Sequence, residues 1–480
     1  MNKTISYLVS NLSGNKTARK MLMPTIEKEL YQGIFNNKPE EIESAKDKKL
    51  KWLKALLSSA TRNIDKGYID GKVLNRISES LVKGAFHEDQ QTFHSHMKDF
   101  EERHGVEAPT FLVISPTQVC NLNCTGCYAS STSKTSNHIP YSRLKKLVKE
   151  FHDDAYGRFI VISGGEPMMY KSEGKTIMDL AAEFPDIFFM YYTNGTLIDE
   201  KKANKLAELG NLIPSISVEG LEKETDARRG KGVFQKIKRA MAALRNNGVP
   251  FIISVTATSE NTDLLLTDEF YDYFFDEQGA TFMWQFQLMP IGRGNEIFNL
   301  MPTPEQRVKL FRKWEYLLEH KKYCVADFWN SGVLTDGCIA YGRKGGYLYI
   351  DWNGNVMPCV FVPYVADNIY KAQDEGRGLA SILKSPMLVN GRKWQKEYTL
   401  NKLDNPGNML MPCSIRDHFH NFKENIVTPD TKGEDEVADS ILHDDDYYNK
   451  MVNYDKELSK LTEDIWQNEY LQKETQKMKA

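Results

Sequence analysis

The sequence has no long apolar stretch. Nowhere in its 480 residues does a hydrophobic run approach the ~20 that a bilayer-spanning helix needs, so no transmembrane segment is expected. Residues 1–20 lack the continuous apolar core of a signal peptide, which makes the cytoplasm the expected location. Charge of one sign is also missing. Lys and Arg number 62 against 65 Asp and Glu, and the net charge of −3 argues against nucleic acid as the main partner. Cysteine is sparse and odd in number, at seven, which suits metal ligation better than a disulfide framework in a chain without a secretion signal. No internal repeat or low-complexity tract is present, and no Ser-His-Asp set or carboxylate pair is convincingly spaced. What remains is ordinary for a soluble protein: 41% hydrophobic and 26% charged residues, in a length that suffices for two or three domains.

The cysteines are not scattered. Cys120, Cys124 and Cys127 form a C-x3-C-x2-C loop directly after the apolar run Phe111 to Ile114, and Tyr128 follows the third. Iron–sulfur clusters normally take four cysteines. Three thiolates on one short loop would hold three irons of a four-iron cluster and leave the fourth open to another ligand. Zinc is the rival, although structural zinc sites favour paired C-x2-C arms and four closed ligands.

Residues 1–105 read as helical, with Leu50, Leu53, Leu56 and Leu57 and then Ile77, Leu81 and Val82 at helical spacing. A modest amphipathic signal pairs Lys3, Lys16, Arg19 and Lys20 with Leu8, Leu12, Met21, Leu22 and Met23. From about 108 to 290, short apolar runs alternate with helical stretches. The runs are Phe111–Ile114, Arg158–Ser163, Ile187–Tyr192, Ile213–Val218, Pro250–Thr256 and Phe282–Leu288. Leu144, Leu147, Val148 and Phe151 give one intervening helix an apolar face; Phe234, Ile237, Met241 and Leu244 give another. Six strands alternating with helices predict a parallel α/β architecture, whose chemistry gathers at the C-terminal strand ends. Ser163-Gly164-Gly165-Glu166-Pro167 follows the second strand, Thr193-Asn194-Gly195 the third, and Ser215-Ile216-Ser217-Val218-Glu219-Gly220 ends the fourth. Paired glycines let backbone come close to a ligand. Arg228-Arg229-Gly230 comes shortly afterwards, and an arginine can clamp a carboxylate through two hydrogen bonds. Thr303-Pro304-Glu305-Gln306 opens a further helix with a capping box.

Together these segments resemble the radical S-adenosylmethionine (SAM) enzymes. The cysteine loop is the most specific match. Ser163 to Pro167 resembles the family's GGEP segment, Ser215 to Gly220 its S-I/L-D-G segment with Glu219 in place of aspartate, and Arg228 to Phe234 its RG-x-G-x-F segment. The resemblance implies a partial six-stranded barrel. It implies a [4Fe-4S] cluster on Cys120, Cys124 and Cys127, whose open iron is chelated by SAM. It further implies that Gly164, Gly165, Glu166, Pro167, Ser217 and Arg229 bind SAM, and that reductive SAM cleavage yields a 5′-deoxyadenosyl radical that takes hydrogen from a substrate. A flavodoxin- or ferredoxin-like electron donor would serve such an enzyme.

A second group of cysteines lies further on. Cys338 precedes Tyr347–Ile350, Asn353-Gly354 marks a hairpin, and Cys359 lies on its return strand. Cys413 follows after a helix. This arrangement resembles the SPASM or shorter Twitch extension of radical SAM enzymes, and three cysteines favour the version with one auxiliary [4Fe-4S] cluster. Cys324, Asp417, His418 and His420 are candidates for its fourth ligand, or the position is left open for substrate. Ordinary buried cysteines are the alternative. The run from Glu434 to Asp446 reads as a solvated acidic face or lid, followed by a helix from about Tyr447 to Tyr470.

The expected organisation is therefore a helical extension (1–105), a radical SAM partial barrel (106–300), a linker helix with a small β-hairpin and helix domain for an auxiliary cluster (301–425) and an acidic helical tail (426–480). By family analogy the substrate is a peptide or protein, with a small molecule or lipid as the alternative. A non-catalytic iron–sulfur or zinc protein is the reading from another class.

Overall fold

The structure is a computed structural model and describes residues 16–37, 40–85 and 90–471. Of the N-terminal amphipathic signal, Lys3, Leu8 and Leu12 lie outside the described residues. The described part of the extension is helical: α1 (Lys16–Asn37), α2 (Glu43–Asp65), α3 (Gly71–Ile77) and α4 (Gln90–His104). Asp70 caps α3 by accepting from the backbone N–H groups of Lys72 and Val73.

The six expected strands all form: β1 (Phe111–Ile114), β2 (Phe159–Ile162), β3 (Phe188–Thr193), β4 (Leu212–Val218), β5 (Ile252–Ala257) and β6 (Phe282–Gln287). They pair in sequence order, each parallel to the next. Their near-continuous burial reflects helices on the outer face. Leu144, Leu147, Val148 and Phe151 are the buried stripe of α5 (Tyr141–Asp153), and Phe234, Ile237, Met241 and Leu244 that of α9 (Val233–Asn246). Between these helices come α6 (Ile177–Glu183), α7 (Glu200–Leu209) and α8 (Glu222–Arg229).

The sheet runs past six strands at both edges. At one edge β7 (Val325–Asp327) pairs parallel to β6. At the other, β8 (Tyr347–Ile350) pairs parallel to β1 in the register Phe111↔Tyr347 to Ile114↔Ile350. The hairpin marked by Asn353-Gly354 is thus a continuation of the barrel sheet. Its return strand β9 (Asn355–Met357) pairs with β8, and β11 (Asp367–Asn368) pairs with β9. The turn is set by Asp351, whose carboxylate accepts from the backbone N–H groups of Asn353 and Asn355 at 2.8 Å each.

Helix α10 (Pro304–Tyr316) starts with the expected capping box and buries Phe311 and Trp314. Helix α11 (Pro386–Gln395) lies between Cys359 and Cys413, and α12 (Asp445–Ile465) continues in a wider turn to Leu471. The acidic run is not wholly solvated. A short strand, β12 (Lys432–Gly433), pairs antiparallel with β10 (Tyr364–Val365). The neighbouring Glu434 is half-buried, and burial followed by repulsion from Asp351 pushes its carboxyl pKa up to about 8. One hydrophobic core cluster takes in residues of α2, of the sheet and of α12. Among the described residues no helix is long and apolar enough to cross a membrane.

Candidate functional site

The cysteine loop leaves the C-terminal end of β1 and is fixed from three sides. The first is the segment after β2. Gly165 N–H donates to Thr117 O and Glu166 N–H to Val119 O, both at 2.8 Å, so Gly-Gly-Glu runs as a short ladder along the loop. A Cβ on Gly165 would stand 2.2 Å from Val119 O, and one on Gly164 2.6 Å from Thr117 O. The glycines are therefore needed for the approach of loop backbone as well as for any ligand. Tyr128 joins the same contact, its hydroxyl 2.5 Å from Ser163 Oγ and accepting from Gly164 N–H at 3.3 Å.

Glu166 is fully buried, and its carboxylate is spoken for within the chain. It accepts from Met168 N–H (3.1 Å), Thr193 Oγ1 (2.8 Å) and Asn194 N–H (2.8 Å). Burial raises its pKa, and these hydrogen bonds oppose the rise. Asn194 Nδ2 then reaches Asn121 Oδ1 at 2.8 Å and Cys120 Sγ at 3.8 Å. Glu166 thus acts on the loop through Thr193-Asn194, and its side chain is turned to them rather than left open for a ligand amine.

The second and third sides are arginines. Glu219 is buried and paired twice: with Arg228 Nη1 at 2.6 Å and with Arg229 through Nε at 2.9 Å and Nη2 at 2.6 Å. Arg228 turns its remaining donors on the loop, Nε to Thr125 O (2.9 Å) and Nη2 to Gly126 O (3.3 Å). From the other flank Arg293, just beyond β6, donates to Ser131 O (3.0 Å) and Cys124 O (3.2 Å). Two guanidinium groups against one carboxylate leave a net positive charge beside the thiols. Burial pulls the pKa of Arg229 down, but Glu219, Cys124 and Cys127 outweigh it and the net shift is upward. Sequence reading named Arg229 but missed Arg293. Its only signal was the Gly-Arg-Gly turn after the sixth strand. Glu219, which departs from the aspartate of the resembling family, is the anchor of both arginines.

Cys120 and Cys124 each lie close enough to Cys127 to feel its charge. Burial pushes Cys120 up to about 11 and raises Cys124, which Arg229 pulls back. Ser217 is half-buried on β4, and two residues along the same face the buried hydroxyl of Ser215 has no partner among the described residues. Among the described residues no three His, Cys, Asp or Glu side chains converge tightly enough for a single metal ion. A four-iron cube spaces its thiolates more widely than one tetrahedral zinc does. The donor set, three thiols on one loop beside an excess of positive charge, fits a three-cysteine cluster with an anionic co-ligand.

Cys338, Cys359 and Cys413 also come together. All three line one cavity of about 350 Å³. Burial raises the pKa of each, that of Cys359 to about 12. None of the proposed fourth ligands lines the cavity, although the Asp417 carboxylate stands beside Cys413 and accepts from its backbone N–H at 3.0 Å. Cys324 is fully buried and its thiol points to Trp52 O at 3.8 Å. Asp417 is paired with buried Arg307, His418 Nε2 sits 2.9 Å from Met411 O, and His420 Nδ1 lies 2.6 Å from Tyr448 Oη.

Comparison with known proteins agrees with this geometry. The Radical SAM superfamily profile matches residues 114–265, from the end of β1 to just beyond β5. Mycofactocin maturase MftC of Mycolicibacterium smegmatis is 33% identical over 276 residues, 55% of this chain and 68% of that protein. The AdoMet-dependent heme synthase of Methanosarcina barkeri is 28% identical over 295 residues, 55% of this chain and 80% of that protein. Among solved structures, Streptococcus suis SuiB bound to precursor peptide SuiA superposes with a TM-score of 0.50 at 18% identity, over 63% of this chain and 71% of that one. It shares the fold. The chain belongs to the radical SAM superfamily and is an enzyme that uses a [4Fe-4S] cluster and SAM. Its relatives include maturation proteins, among them the sporulation killing factor maturation protein SkfB of Bacillus subtilis.

Proposed function

We propose that this enzyme matures a peptide or protein by abstracting hydrogen from it, and that two iron–sulfur sites serve the reaction. Cys120, Cys124 and Cys127 hold the cluster that binds SAM; Cys338, Cys359 and Cys413 hold an auxiliary cluster. When bound, the first cluster and SAM supply reductive SAM cleavage and hydrogen-atom abstraction. The protein's own part is placement. Gly164 and Gly165 keep the loop against β2, and Arg228 and Arg293 hold its carbonyls. Ser217 and the edge of Arg229 not taken by Glu219 would hold the carboxylate and ribose of SAM, and the backbone from Gly164 to Pro167, whose turn the Glu166 side chain fixes, would hold its amino group. The observation that carries the reading is the Gly165–Thr117 and Glu166–Val119 ladder, which joins the two most specific segments in one rigid unit.

For the auxiliary site, the engagement of Cys324, Asp417, His418 and His420 supports a fourth position left open toward the cavity. The maturase among the relatives supports a peptide substrate. The heme synthase supports the second reading, a small molecule. A flavodoxin- or ferredoxin-like donor in the cytoplasm would supply the electron.

The test is anaerobic reconstitution with iron, sulfide, reductant and SAM. About eight irons per chain and release of 5′-deoxyadenosine are expected. Replacing Cys120, Cys124 and Cys127 by alanine should abolish the 5′-deoxyadenosine and leave about four irons. Replacing Cys338, Cys359 and Cys413 should also leave about four but preserve SAM cleavage. An intact first cluster that yields no 5′-deoxyadenosine overturns the reading.

A further inference from the structure

The cavity beside Cys338, Cys359 and Cys413 is not built by the C-terminal region alone. Lys49, Trp52 and Leu53 of α2 form one wall, and Trp284 and Phe328 from the barrel side form another. The N-terminal extension therefore reaches the place where the auxiliary cysteines meet the barrel.

This wall is fixed. Lys48 pairs with Glu315 (2.6 Å) and Glu319 (2.8 Å), and Lys51 pairs with Glu319 (2.9 Å). Ile42 N–H donates to Leu403 O at 3.1 Å, and Ser44 Oγ to Tyr470 O at 2.9 Å. At its far end Asn63 Nδ2 donates to Gly279 O at 2.7 Å. Helix α2 is tied to the barrel and to the C-terminal region along its length.

The lining says what the space would take. It is mainly apolar and aromatic. Its one lysine is already paired with Glu41 and, at 2.6 Å, with Asp336, so it makes no demand for an anionic ligand. The indole N–H groups of Trp52 and Trp284 are buried and have no acceptor among the described residues. Buried donors of this kind want an acceptor oxygen. The space also adjoins the first site. Phe361 lines it, donates its backbone N–H to Cys359 Sγ at 3.4 Å, and has its ring 6.3 Å from that of Tyr128, the residue after Cys127. On the barrel side Phe286 bridges Tyr192 and Phe328 at 5.7 and 5.3 Å.

We infer that the part of this cavity left free by an auxiliary cluster on Cys338, Cys359 and Cys413, walled by Trp52, Leu53, Trp284 and Phe328, is a substrate subsite for an aromatic or branched apolar side chain with its adjoining carbonyl, and that Trp52 and Leu53 of the N-terminal helix set which side chain fits. The inference rests on the peptide reading above. A residue anchored there is held by one end against α2 while its neighbours extend toward Tyr128 and the SAM site. The extension thereby acts as a specificity element that reaches into the catalytic core.

The probe is N-acetyl-L-phenylalaninamide, titrated into the reconstituted full chain and read by tryptophan fluorescence and by the EPR signal of the auxiliary cluster. A saturable shift in both is expected, with none from N-acetyl-L-aspartamide. Leu53→Trp fills the space and should weaken phenylalaninamide binding by roughly tenfold, about the worth of one buried apolar contact. Trp52→Ala enlarges it and should move the preference toward N-acetyl-L-tryptophanamide. Iron content near that of the wild type certifies that each variant has folded. The inference is overturned if no apolar amide gives a saturable shift, or if neither variant changes the affinities. SAM cleavage by the wild type reports separately on the enzyme reading, so a failure of the subsite and a failure of that reading are told apart.

Discussion

At Gly165 a single hydrogen atom decides whether the cysteine loop can seat. Gly165→Ala puts a methyl group 2.2 Å from Val119 O, a clash with backbone rather than with a movable side chain. The expected cost is about 1–3 kcal/mol in urea unfolding of the metal-free chain, as for other overpacked sites. Loss of the first cluster's iron with the auxiliary iron retained should accompany it. Asp455 offers a different residue-scale test. One oxygen accepts from Phe419 N–H at 2.8 Å, and the other is buried without a partner among the described residues. Burial pushes its pKa up to about 8. Its folded pKa lies above its unfolded one, so the folded chain binds the extra proton, and Asp455 draws stability down as pH rises from the ordinary carboxylate range to about 8. Asp455→Asn should flatten that part of a melting-temperature profile, and an unchanged slope would contradict the assignment. The sequence named Arg229 and the glycines because they sit in recognisable segments. It could not show that Glu166 faces Thr193 and Asn194, or that Arg293 spans from beyond β6 to Cys124 O, because such partners are chosen by the folded surroundings and not by spacing along the chain.

Among the elements, those with local causes were the legible ones. The six strands stood out as apolar runs between turns, and α10 announced itself through Thr303 and Gln306. There Thr303 Oγ1 accepts from Gln306 N–H at 3.2 Å, while Gln306 Oε1 accepts from Thr303 N–H at 3.0 Å. Thr303→Ala should cost about 1 kcal/mol in thermal melting, the usual worth of such a cap. The β8–β9 hairpin was equally visible in Asn353-Gly354. Its parallel pairing with β1 was not, since nothing in Tyr347–Ile350 points to a partner more than 200 residues earlier. The short β10–β12 ladder was hidden for another reason. Two-residue strands have no periodicity, and the acid-rich composition around Glu434 suggested solvent. A proline tests the β8 pairing, because it removes a ladder donor and is tolerated poorly inside a sheet. Leu348→Pro should release iron from both cysteine sets together, whereas loss confined to Cys338, Cys359 and Cys413 would mean that the hairpin is only loosely attached.

Over the whole molecule, the sheet order β11-β9-β8-β1-β2-β3-β4-β5-β6-β7 sets the strand that leads to the Cys120 loop beside the hairpin that leads to Cys359. The loop with Cys120 leaves the end of β1, and Cys359 lies just past β9 on the hairpin whose first strand borders β1. Ser115 N–H donates to Ile350 O at 2.8 Å and continues that border into the first turn of the loop. On the two-cluster proposal, a backbone ladder would gauge the gap between the two iron sites, and a substrate lying between them would have to adapt to a span set by the β1–β8 pairing.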